Sequence, residues 1–118
     1  MNDLKRDMDL IREILLWMEN QDDDAFFFIH IPDFGRHEDT IGHVLMLKSA
    51  GFLYESQKGV LRMSWEGHEF LDKVRDEEIW RKTKEGANKM ESWSVKLLGE
   101  LATGYIKLKA AELGLPLS

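Results

Sequence analysis

The stretch His43-Val44-Leu45-Met46-Leu47-Lys48-Ser49-Ala50-Gly51-Phe52-Leu53-Tyr54-Glu55-Ser56-Gln57-Lys58-Gly59-Val60-Leu61-Arg62-Met63 decides the fold. Its first half continues a helical pattern that starts near His37, with Ile41, Val44, Leu45 and Lys48 on one face and Leu47 extending it. Ala50-Gly51 closes that helix, because glycine accepts the left-handed backbone that helix C-termini favour. Phe52 to Glu55 and Val60 to Met63 then flank Ser56-Gln57-Lys58-Gly59. Two short apolar-rich runs about a glycine-containing turn predict a β-hairpin.

Upstream, residues 3–20 read as an amphipathic helix in which Leu4, Met8, Ile11, Leu15 and Met18 form one stripe. Leu10, Ile14 and Trp17 widen that stripe, so contact on more than one side is expected. Asn20-Gln21-Asp22-Asp23-Asp24 has nothing to bury and reads as a solvated loop. The aromatic and β-branched run that follows predicts a strand over 26–31, stopped by Pro32. Downstream, Ser64 caps a helix that turns Trp65, Phe70, Leu71, Val74, Ile79 and Trp80 inward. That helix is expected to fray over Lys82–Lys89, where Gly86 and Asn88 suggest a linker. A last helix spans about Ser92 to Glu112, with Leu98, Leu101, Tyr105 and Leu108 as a heptad-like seam.

The resulting class is α+β. The order helix, strand, helix, β-hairpin, helix is that of a winged-helix-like domain, with an added C-terminal helix. Residues 1–80 would form this domain, and 81–118 a helical extension that packs on it or on a second copy.

Composition bounds the chemistry. The 118-residue chain has no cysteine and a formal net charge of −6, so disulfides and thiolate metal sites are excluded. Residues 1–24 hold eight acids and three bases, 25–70 six and four, and 71–118 eight and nine. A phosphate-gripping protein usually presents a basic face, and this distribution argues against one. No apolar run approaches the ~18 residues of a membrane span, and the first residues lack a signal-peptide core. A cytoplasmic location without membrane contact is expected.

Three segments carry a family resemblance: Lys5-Arg6-Asp7-Met8-Asp9-Leu10-Ile11-Arg12-Glu13-Ile14-Leu15-Leu16, His43 to Leu53, and Met63-Ser64-Trp65-Glu66-Gly67-His68-Glu69-Phe70-Leu71-Asp72-Lys73-Val74-Arg75-Asp76 with Ile79-Trp80. Together with Trp93 to Leu98 and Leu113 to Leu115, they resemble a bacterial and prophage family called domain of unknown function 2513. The resemblance implies a winged-helix-like fold in a mobile-element setting and implies no reaction. More distantly, it resembles winged-helix transcription regulators. In those, two helices precede the hairpin, whereas here the second is missing or reduced to one turn near Arg36–Thr40.

As a nucleic-acid reader, the chain would use Arg36, His37, His43, Lys58 and Arg62. The helix over 37–49 would then turn Asp39, Gly42, His43, Met46 and Ala50 outward, a face without Arg or Lys, although base readout favours Arg, Lys, Asn or Gln. Interaction with a protein, or with a second copy in a homodimer, would use Met46, Trp93, Leu98, Leu101, Tyr105 and Leu108. His68-Glu69 lacks the second histidine of a zinc-protease motif, since position 72 is Asp72. Neither a glycine-rich phosphate loop nor a nucleophile elbow is present. The expectation is a non-enzymatic protein with no cofactor or metal. Two roles remain: a DNA-binding regulator, slightly favoured by fold precedent, and a protein-interaction module on an acidic scaffold, favoured by charge.

Overall fold

Asp7 starts the first helix. Its carboxylate accepts hydrogen bonds from the Asp9 and Leu10 N–H groups, satisfying two donors that a helix N-terminus leaves open. The computed structural model describes residues 6–35 and 37–116, His37 by its backbone alone. Helix α1 spans Met8–Glu19, and its stripe of Met8, Leu10, Ile11, Ile14, Leu15 and Met18 is buried. Leu4, at the head of the expected stripe, lies outside the described residues.

The fold is α+β. After α1 come β1 (Phe26–Phe27), a 3₁₀ turn (Phe28–His30), α2 (His37–Ser49), the hairpin β2 (Leu53–Gln57) and β3 (Val60–Met63), then α3 (Trp65–Val74), α4 (Glu77–Met90) and α5 (Val95–Glu112). The three strands form an antiparallel sheet in the order β1-β3-β2. The order is winged-helix-like, and among the described residues no further α-helix precedes α2.

Strand β1 is shorter than the 26–31 expected from its composition. It runs antiparallel to β3 with Phe26 opposite Leu61 and Phe27 opposite Val60, and β3 begins at Val60. Among the described residues no strand pairs with the chain past Phe27. The Phe28 N–H donates to the Gly59 carbonyl, and the chain then folds into the 3₁₀ turn. Partner length, rather than β-propensity, sets the strand's end.

The α2–hairpin junction forms as expected. Gly51 has φ +84°, the Gly51 N–H donates to the Lys48 carbonyl and the Phe52 N–H to the Leu47 carbonyl. These are the paired bonds of a Schellman closure. Helix α1 packs on α2, and α2 on β2. Ser64 caps α3 by accepting from the Gly67 N–H at 3.1 Å. A Cβ on Gly67 would overlap the Phe52 carbonyl oxygen, so glycine there permits α3 to sit against the start of the hairpin. Phe52 and Phe70 stack with ring centroids 5.2 Å apart.

Two expectations fail from α3 onward. Trp65 does not face inward; it is 75% exposed, because the buried stripe is Gly67, Phe70, Leu71 and Val74 and leaves position 65 off its line. Residues 82–89 are not a linker. The helix breaks earlier, at Asp76, which is extended and caps α4 through the Ile79 N–H; α4 then runs unbroken to Met90. Ile79, Trp80, Thr83, Gly86 and Ala87 form its buried stripe. A Cβ on Gly86 would stand 3.0 Å from the Tyr105 hydroxyl and 3.2 Å from the Leu101 methyls, so Gly86 is where α5 comes close to α4. Packing outweighs the ~1 kcal/mol helix penalty of glycine. Helix α5 begins at Val95, capped by Ser94, and ends at Gly114 with the same paired closure as α2.

The chain forms two compact units, one ending at Leu71 and the other starting at Asp72, with the division inside α3.

Candidate interaction surface

Helix α2 is the element on which any reading of the first unit depends, and its phase differs from expectation. Its buried side holds Thr40, His43, Val44 and Leu47. His43, expected on the outward face, is fully shielded from solvent. Two hydrogen bonds make this burial affordable. The Asp7 N–H donates to His43 Nε2 at 2.8 Å, and His43 Nδ1 lies 2.6 Å from the Asp39 carbonyl oxygen. An acceptor at Nε2 and a donor at Nδ1 define the neutral Nδ1–H tautomer. Thr40 is satisfied likewise, its hydroxyl donating to the Asp33 carbonyl at 2.7 Å.

With those two polar groups inside, the outer face of α2 carries Ile41 and Leu45 between the exposed Glu38 and Lys48. Ile41 and Leu45, one turn apart, are 36% and 52% exposed, and Met46 is half-buried. Phe27 and Ile29 add exposed apolar surface on the segment beside the hairpin turn. Between α2 and the hairpin lies a cleft of about 140 Å³ lined by Phe28, Val44, Leu45 and Leu61, with Lys48 and Glu55 at its edge.

Two cations of this region, Lys48 and Arg62, are held by carboxylates. Lys48 pairs with Glu55, and the second Glu55 oxygen accepts the Gly59 N–H at 2.8 Å. The bonds from Lys48 and Gly59, with the charges of Lys48 and Lys58, hold the Glu55 carboxyl below the usual carboxylate range. Arg62 pairs with Asp24, joining the acidic loop to β3. Lys58 is exposed in the hairpin turn. Arg36 lies outside the described residues, as does the His37 side chain. Of the three nucleic-acid candidates whose side chains are described, His43 is buried, Arg62 is paired with Asp24 and Lys58 is exposed.

A second hollow of about 190 Å³ lies beside the acidic loop, with Met18, Phe26 and Met63 below and Asp22, Asp23 and Asp24 around it. His68 is at its edge, yet among the described residues no group of three or more His, Asp or Glu side chains is placed to hold a metal ion.

In the second unit the interaction candidates separate by burial. Leu98 is fully buried, Leu101 and Tyr105 are half-buried with their tips at Gly86, and Leu108 is 62% exposed. Trp93 is half-buried. The seam is therefore largely spent on α4 within the same chain. Among the described residues no helix is long and apolar enough to cross a membrane.

The exposed Leu45 and the half-buried Phe28 were the least legible parts of this surface. The available signal was the pairing of Thr40 and His43 with Val44 and Leu47 at helical spacing, which requires accepting two polar residues into a core stripe.

The family model described as "Hypothetical protein (DUF2513)" matches residues 5–94. An uncharacterised protein of Haemophilus influenzae is 32% identical over 90 residues, covering 69% of this chain and 76% of its own length. No solved structure matches.

Proposed function

The chain belongs to the DUF2513 family, and from that premise and the geometry of α2 we propose that it is a protein-binding module rather than an enzyme or a reader of DNA. The observation that carries the reading is the outer face of α2, where Ile41 and Leu45 stand exposed beside an apolar cleft. In a helix that reads bases, that face carries Arg, Lys, Asn or Gln. Here the nearby cations Lys48 and Arg62 are each held by a carboxylate of the same chain. Exposed apolar side chains with a pocket between them suit a protein partner.

The second reading is a nucleic-acid-binding regulator of prophage origin. It is supported by the winged-helix-like order and by Lys58 at the tip of the hairpin. A salt titration against random duplex DNA separates the two. Even ~4 phosphate contacts give a steep fall of log affinity with log salt, about −0.9 per contact. The protein-binding reading expects no measurable binding at ~50 mM salt. Binding with that slope, abolished by Lys58→Glu with Arg62→Glu, would replace it by the regulator.

A further inference from the structure

Among the described residues His43 is the one titratable side chain fully shielded from solvent, and both nitrogens of its ring are matched to a partner. Nε2 accepts the Asp7 N–H at 2.8 Å, and Nδ1 donates to the Asp39 carbonyl at 2.6 Å. A second ring proton has one place to go, Nε2, where it would meet the Asp7 N–H donor to donor. It would also set a charge where no water reaches it. Among the described residues no carboxylate bonds the ring. Asp7, at the cap of α1, directs its carboxylate to the Asp9 and Leu10 N–H groups, and the turn that follows carries Asp9, Arg12 and Glu13. On β2 the charged residue is Glu55, which Lys48 holds, and on α2 itself Asp39 meets the ring through its carbonyl.

We propose that protonation of His43 releases the start of α1 from α2, so that this junction is an acid-sensitive clasp. Imidazole is the side chain whose ordinary charge change lies between about pH 5 and 8. In the unfolded chain the ring takes its proton freely as pH falls below ~6.5, whereas in the folded chain it must first give up the Asp7 bond. The clasp therefore stabilises the first unit at neutral pH, and that stabilisation is lost towards acid. Because the bond reaches across 36 positions from α2 to the cap of α1, its loss opens the first turn of α1. The clasp is independent of the partner that meets the outer face of α2.

The test compares the full chain at about pH 7.5 and about pH 5.5, one unit either side of the free imidazole value. Long-range proton–nitrogen spectra report the state of each ring, with the exposed His30 and His68 as internal references. Amide protection of Asp7 and Ile11 should fall about tenfold at the lower pH, the linkage of one proton over one unit. Protection of Leu98 and Ala102 in α5 should stay constant. His43→Gln keeps an acceptor for the Asp7 N–H and has no proton to take. Its denaturant midpoint should be level across this range, while that of the unaltered chain drops.

If His43→Gln does not fold, the ring spectra and amide protection of the unaltered chain decide alone. A ring that titrates in step with His30 and His68 while the α1 amides stay protected overturns the proposal. So does a pH profile of His43→Gln that matches the unaltered chain.

Discussion

His43 in the first unit and Thr83 in the second are both helical, polar and fully shielded from solvent, but only one of them is satisfied. His43 joins the start of α1 to α2, with partners at both ring nitrogens and one of them 36 positions away in sequence. The Thr83 hydroxyl has no hydrogen-bond partner among the described residues. The units differ in charge as well, fourteen acids to seven bases up to Leu71 and eight to nine from Asp72 onward. The first unit uses buried polar groups to fix how its elements meet. The second is two consecutive helices packed by side-chain shape, with small residues at the close approach and ion pairs outside.

Removing the two polar groups should change stability in opposite directions. His43→Ala removes the imidazole that accepts from the Asp7 N–H and contacts the Asp39 carbonyl, and opens a cavity. The expected loss is about 3 kcal/mol, read as a lower denaturant midpoint at unchanged m-value. A loss below ~1 kcal/mol would mean that the histidine does not tie α1 to α2. Thr83→Val should move the other way, stabilising by about 1 kcal/mol, because it replaces an unpartnered hydroxyl by a methyl of the same shape. Destabilisation by Thr83→Val would show that the hydroxyl is satisfied in solution and would erase the contrast.

A smaller effect concerns acid. Glu55 in the first unit is held below the usual carboxylate range by Lys48 and Gly59, and Asp76 in the second chiefly by the Ile79 N–H, with Lys109 assisting. A carboxyl whose value is lowered in the folded state stabilises the fold above its unfolded value, near pH 4. That contribution disappears as pH falls through the lowered folded value. Both groups are exposed, so each effect is small. Glu55→Gln and Asp76→Asn should each flatten the stability difference between neutral and acid solution. An unchanged profile for Glu55→Gln would mean that the Lys48–Glu55 edge of the cleft is open in solution.

Much of the architecture can be read directly from residue order. Ala50-Gly51 before Phe52, and Gly59 between two apolar runs, demand a helix stop and a hairpin turn for local backbone reasons, and both are present. The Met8 to Met18 stripe is similarly local in its logic. The interaction surface was far less legible. Turning α2 by one position exchanges Thr40, His43 and Leu47 for Ile41, Leu45 and Lys48, and the apolar pattern alone chooses the wrong set. Only the Asp7 N–H and the Asp33 and Asp39 carbonyls, placed by the fold, make the polar pair the buried one.

The sequence by itself determined the α+β class, the helix-to-hairpin unit and the acidic excess of the first seventy-one residues, because these depend on local backbone preference and on composition. Tertiary structure decided the rest. Strand β1 ends where β3 runs out of partner residues, and α4 continues through Gly86 because α5 needs the space. Ile41 and Leu45 point outward because Thr40 and His43 found hydrogen bonds inside. Each of these depends on a group distant in sequence, so local pattern could not supply it.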